Sequence, residues 1–87
     1  VPRTQPWTVV PYQSTHNTGG AIMGRNPGES VVNKYLQNWD HHNLFVVGAS
    51  AFVHNSAYQP TGLVGALSYW TADAIKKRYV KNPGLLV

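Results

Sequence analysis

Residues Asn43 to Arg78, NLFVVGASAFVHNSAYQPTGLVGALSYWTADAIKKR, decide how this chain is organised. Leu44, Phe45, Val46 and Val47 form a short apolar run that reads as a buried strand. Gly48-Ala49-Ser50 breaks it with three small residues, which let another group approach the backbone closely. A loop rich in turn formers follows. Gln59-Pro60-Thr61-Gly62 then launches a long helix, with Thr61 as N-cap and Pro60 just outside. Leu63, Ala66, Leu67, Trp70, Ala74 and Ile75 recur at helical spacing and predict one apolar face, widened by Val64 and Thr71, with Trp70 in the core. Lys76, Lys77 and Arg78 suit the negative end of the helix dipole, and Asn82-Pro83-Gly84 stops it. A strand, a small-residue turn and a helix N-terminus aimed at one place make a cradle for an anion or a cofactor.

Upstream the signals are weaker. Thr8 to Tyr12 reads as a short strand with Pro11 at its edge. Ser14 to Gly24 has neither strand nor helix periodicity and reads as a structured loop, in which Gly19, Gly20 and Gly24 bracket Met23, a packing residue. Arg25-Asn26-Pro27-Gly28 is a turn. Ser30 to Asn33 is a short extended run. Lys34 to His42 fits a helical turn, or a loop laying Tyr35, Leu36 and Trp39 on a core. The fold class is an α/β fragment of short strands and loops with one long C-terminal helix.

The chain has 87 residues and formal charge +4, enough for one small, marginally stable domain. Charged residues make up only 11%, against roughly 25% in an ordinary soluble domain. A free-standing domain of this size has a high surface-to-volume ratio and should show more charge. The deficit points to a surface covered by other protein. There is no cysteine, hence no disulfide framework and no thiolate metal site. No apolar run approaches the ~20 residues of a spanning helix. Val1-Pro2-Arg3-Thr4 carries neither an initiator Met nor a signal-peptide pattern and reads as a cut or processed end. Lys76, Lys77, Arg78 and Lys81 lack the interleaved aromatics of a nucleic-acid stripe, so they read as helix-end charges.

His16 is the first candidate for chemistry. A histidine is the usual proton acceptor near neutral pH, and a glycine-rich loop can present it to a pocket. From spacing alone, a structural histidine bonded to a backbone carbonyl is the commoner case. Asn55 and Gln59 offer neutral hydrogen-bonding groups beside the helix start, where turn chemistry is their ordinary role. His41 and His42 are adjacent and diverge in direction, and carboxylates are few, which argues against a metal site.

Two stretches go further. His16-Asn17-Thr18-Gly19-Gly20-Ala21-Ile22-Met23-Gly24 resembles the H-x-x-G-T-x-x-M-G segment of glucose-methanol-choline (GMC) oxidoreductases. Val31-Val32-Asn33 followed by Asn43-Leu44-Phe45-Val46-Val47-Gly48-Ala49-Ser50 is similar to that family's V-V-(D/N) … N-L-(F/R)-V-x-(D/G)-A-S run. Gln59-Pro60-Thr61-Gly62 resembles its N-P-T segment before the closing helix. Each motif alone is weak; their order and spacing together are specific. The wording is nearest the branch of gluconate 2-dehydrogenase-like flavoprotein subunits and sugar dehydrogenases.

The resemblance implies an FAD enzyme that oxidises an alcohol group of a sugar, polyol or sugar acid by hydride transfer to flavin. His16 would fall at the histidine that takes or hydrogen-bonds the hydroxyl proton, and Gln59 at the second active-site position, usually Asn or His. Gly48, Ala49 and Ser50 would lie along FAD, with Thr61 and Gly62 facing the flavin. His54 and Asn55 would be substrate-proximal, with Val53-His54 standing where close relatives carry Pro-Gln. Residues 1–42 would be a substrate-domain segment with the histidine loop. Residues 43–87 would be a strand and helix completing the Rossmann-like FAD-binding domain, neither segment being independent. These 87 residues hold no G-x-G-x-x-G, so a larger polypeptide is implied to hold the ADP half of FAD. A cytochrome or quinone acceptor is implied as well. The competing reading is a non-catalytic interaction module, which need not keep His16 in its glycine frame.

Overall fold

The computed structural model describes residues 15–55 and 59–87; the strand expected over Thr8–Tyr12 lies outside them. Among the described residues there is one α-helix, α1 (Thr61–Ala74), whose last turn widens into a π-helical turn at Ile75–Tyr79. A 3-10 turn spans Ala49–Ala51.

Among the described residues, extended segments meet in isolated bridges rather than strands. Met23 pairs with Val32 in parallel, and Val32–Asn38 and Gln37–Phe45 pair antiparallel. The expectation of a buried strand at Leu44–Val47 is corrected. Among the described residues, its bonds to other segments run to one side, from the Asn38 N–H to the Leu44 carbonyl and from the Val46 N–H to the Leu36 carbonyl, both 2.8 Å, beside a local turn bond from the Leu44 N–H to the His41 carbonyl (3.0 Å). Leu44 is 45% and Val47 48% exposed. A ladder satisfied on one side gains neither the second row of hydrogen bonds nor burial of both faces, so pairing stops at a single bridge.

The Lys34–His42 stretch is a turn, as the loop alternative expected, and it sends Leu36 into the core. Val32, Leu36 and Ala51 are fully buried, with Met23, Val46 and Leu67 packed against them. Asn33 and Gln37 are buried alongside. The Asn33 Nδ2 donates to the Gln37 Oε1 (3.1 Å) and to the Leu86 carbonyl (3.0 Å). The Gln37 Nε2 donates to the carbonyls of Gly84 (2.7 Å) and His42 (2.9 Å), and its Oε1 accepts the Leu86 N–H (2.8 Å). These two amides tie the segment after the helix to the middle of the chain. Among the described residues no buried side-chain nitrogen or oxygen lacks a partner, as burial of amides demands.

Two details of α1 depart from expectation. Pro60, not Thr61, is the N-cap: it sits at φ −73°, ψ −11°, and its carbonyl accepts the Val64 N–H at 3.0 Å. Proline is suited to a helix start because its missing N–H would have had no partner there. The buried stripe is also rotated. Thr71 and Ala74 are buried, with Val64, Leu67 and Ser68 half-buried, whereas Leu63 is 52% and Trp70 48% exposed. Thr71 Oγ1 donates to the Tyr35 carbonyl at 3.1 Å, which fixes that rotation. Trp70 therefore lies outside the core. Its Nε1 donates to the Lys34 carbonyl (2.8 Å), and its ring stacks on Tyr35 at 5.5 Å. Among the described residues no helix is long and apolar enough to cross a membrane.

Candidate active site

The histidine loop and the small-residue segment are assembled by main-chain bonds. The N–H groups of Gly19, Ala21 and Met23 donate to the carbonyls of Ala49 (3.4 Å), Ser50 (2.8 Å) and Ala51 (3.0 Å). The two segments lie in ordinary van der Waals contact: a Cβ at Gly20 would stand 3.9 Å from Ser50 Cβ, and one at Gly19 3.7 Å from the Phe52 carbonyl oxygen. Gly19 also takes φ +88°.

His16 is exposed and adopts φ 57°. Left-handed backbone is uncommon outside glycine, though histidine enters it more readily than most residues. Its carbonyl accepts the Asn55 Nδ2 at 2.9 Å. Gly48 sits at φ 111°, ψ −177°, a region essentially restricted to glycine. Nothing lies within 4 Å of the place a Gly48 Cβ would occupy, so the backbone there is open to a ligand.

The remaining expected residues are more loosely related. His54 is exposed. Gln59, Thr61 and Gly62 are exposed at the start of α1, whose first turn has no side-chain cap and no acidic residue. The N–H groups of a helix's first turn carry partial positive charge and lack intrahelical partners. Among the described residues no hydrogen bond joins Gln59, Thr61 or Gly62 to His16 or to Gly48–Ser50. Nor, among those residues, could any group of three or more His, Cys, Asp or Glu hold a metal ion.

A cleft of about 230 Å³ lies elsewhere, lined by Gly24, Arg25, Lys34, Trp39 and Leu86 among others; it is where the segment after the helix docks. The Asn33–Gln37 amide pair escaped the reading of the sequence as a structural device. Asn33 was visible only as part of V-V-N, and Gln37 only as a polar residue between Leu36 and Trp39.

The GMC oxidoreductase family matches residues 3–68. The chain is 60% identical over 76 residues to the gluconate 2-dehydrogenase flavoprotein of Pantoea cypripedii, covering 87% of this chain and 12% of that protein. It is 42% identical over 69 residues to 2-methyl-1,2-propanediol dehydrogenase of Mycolicibacterium austroafricanum (79% of this chain, 12% of that one). It is 41% identical over 69 residues to the fructose dehydrogenase large subunit of Gluconobacter japonicus (77% and 13%). The chain thus spans 12–13% of the length of these relatives. No solved structure matches it.

Proposed function

Because this chain belongs to the GMC oxidoreductase family, we propose that it carries the proton-accepting side of an FAD-dependent enzyme oxidising an alcohol group of a sugar, polyol or sugar acid. The observation that carries this reading is the pairing of the histidine loop with the small-residue segment, Gly19–Met23 against Ala49–Ala51. It brings the loop that contains His16 against the segment that follows Gly48, whose backbone favours glycine. The names of the relatives, which act on gluconate, a propanediol and fructose, support the substrate class.

The residues present fit the cofactor. Gly48 is open where a Cβ would stand, so Gly48, Ala49 and Ser50 would lie along FAD. The uncapped start of α1, with Thr61 and Gly62, would turn its N–H groups toward the negative charge of the reduced ring system, an effect of roughly 0.3–2 kcal/mol. Bound FAD supplies the hydride acceptor. An imidazole nitrogen of His16 takes the hydroxyl proton of the alcohol as the C–H bond of the same carbon is broken. Gln59, which cannot act as a base, hydrogen-bonds and orients the hydroxyl. Residues 1–42 serve the substrate side and 43–87 the cofactor side. Their interleaved bonds support one shared core rather than two independent units. The ADP half of FAD is held by a larger polypeptide.

His16→Ala should abolish turnover while leaving assembly and flavin content intact, measured by steady-state kinetics and the visible flavin bands. Full activity in that variant would sink the assignment. Gln59→Asn, which restores the usual residue, should retain activity.

A further inference from the structure

We infer that Asn55 is a positioning residue for His16, clasping the main chain of the histidine loop from 39 residues downstream. The inference rests on His16 being the proton acceptor.

Three observations converge. First, His16 is held at φ 57°, a conformation that a non-glycine residue keeps only when its surroundings impose it. Second, the Asn55 amide reaches the main-chain oxygen of His16, not the imidazole. The bond therefore constrains the loop and leaves both ring nitrogens to the substrate. Third, the path of the chain makes the contact a closure. Gly19, Ala21 and Met23 run parallel with Ala49, Ser50 and Ala51, so simple continuation would carry residue 55 away from His16. Instead the chain doubles back after the 3-10 turn. The Phe52 carbonyl comes within 3.7 Å of where a Gly19 Cβ would stand, and Asn55 lands on the beginning of the loop. The histidine loop is thereby pinned along its length and at its entrance.

Asn55→Asp in the FAD-loaded holoenzyme is the test. Aspartate keeps the shape but turns the donor into a carboxylate facing a carbonyl. Amide exchange in peptides spanning residues 15–21 should quicken while that of α1 stays unchanged. kcat should fall roughly three- to tenfold by the same factor for every alcohol, with KM unmoved. Asn55→Gln, retaining the amide on a longer stem, should restore part of both. Should Asn55→Asp fail to assemble, Asn55→Ala is read by the same exchange measurement. Unchanged exchange over residues 15–21 overturns the clasp, as does a KM change that differs between alcohols without faster exchange, which would place Asn55 on the substrate. His16→Ala run in parallel separates the two ideas: activity there removes the proton-acceptor reading, while the exchange data still decide whether Asn55 holds the loop.

Discussion

Gly24 and Gly48 resist substitution for different reasons. At Gly24 the obstacle is space: an added Cβ would meet Ser30 Cβ at 2.6 Å and Oγ at 2.8 Å. Ser30 cannot easily retreat, because its Oγ donates to the Asn26 carbonyl and accepts the Trp39 Nε1. At Gly48 there is room, but the backbone at φ 111°, ψ −177° excludes a side chain. Gly24→Ala and Gly48→Ala should each lower stability of the holoenzyme by about 1–3 kcal/mol in chemical denaturation. Adding Ser30→Gly should recover much of the first loss and none of the second. Equal recovery in both would mean that the two glycines share one cause. The glycines were legible as punctuation. Which one answers to space and which to conformation was not, since Ser30 and the torsion of Gly48 are not written in their neighbours.

The element that organises the chain is α1, and it is held from outside its own sequence. Thr71 bonds Tyr35, Trp70 stacks on Tyr35, and Arg78 bonds the Tyr35 hydroxyl, so the turn at residues 34–36 sets the rotation of the helix. The Asp73–Lys77 pair, exposed on both sides, adds little. The clamp on the segment after the helix matters more. Gln37→Leu fits a similar volume but leaves the Leu86 N–H and the Gly84 and His42 carbonyls without that partner. It should cost about 2–3 kcal/mol, since unpaired buried polar groups are expensive. Amide exchange at Leu86 should quicken before that of α1; uniform loosening of both would show that the clamp and the helix open as one unit. A helix was expected here from spacing and stop residues, and one forms. Thr71, Ala74, Leu67 and Val64 lie on the buried face as expected, while Leu63 and Trp70, expected there for their apolarity, stand about half in solvent, because the Thr71–Tyr35 bond turns the face away from them.

At the largest scale, the fully buried apolar cluster among the described residues comprises Val32, Leu36 and Ala51, while Tyr69 is 82% exposed and Leu63, Trp70 and Val80 stand about half or more in solvent. So small a core supports little independent stability. The 87 residues alone should show no cooperative unfolding transition by calorimetry and no flavin absorbance. The same segment within the larger FAD-loaded protein proposed above should be protected and yellow. Native mass spectrometry checks the second half, by mass and by retained FAD. A colourless, folded monomer would instead favour the interaction-module reading.

The sequence by itself determined what local chemistry controls. A helix follows Pro60 and ends before Asn82-Pro83-Gly84, a turn falls at Arg25–Gly28, and the order of short motifs marks the family. These signals act within a few residues of chain, where spacing and turn preference suffice. Tertiary structure alone decided which face of α1 is buried, that Leu44–Val47 pairs on one side only, that Asn33 and Gln37 grip Leu86, and that Asn55 reaches back to His16. The pairing of Leu44–Val47 depends on partners six and ten residues back, and the other outcomes on partners more than thirty residues away. The same amide is a turn former or a clasp according to which carbonyl the folded chain brings within about 3 Å of it.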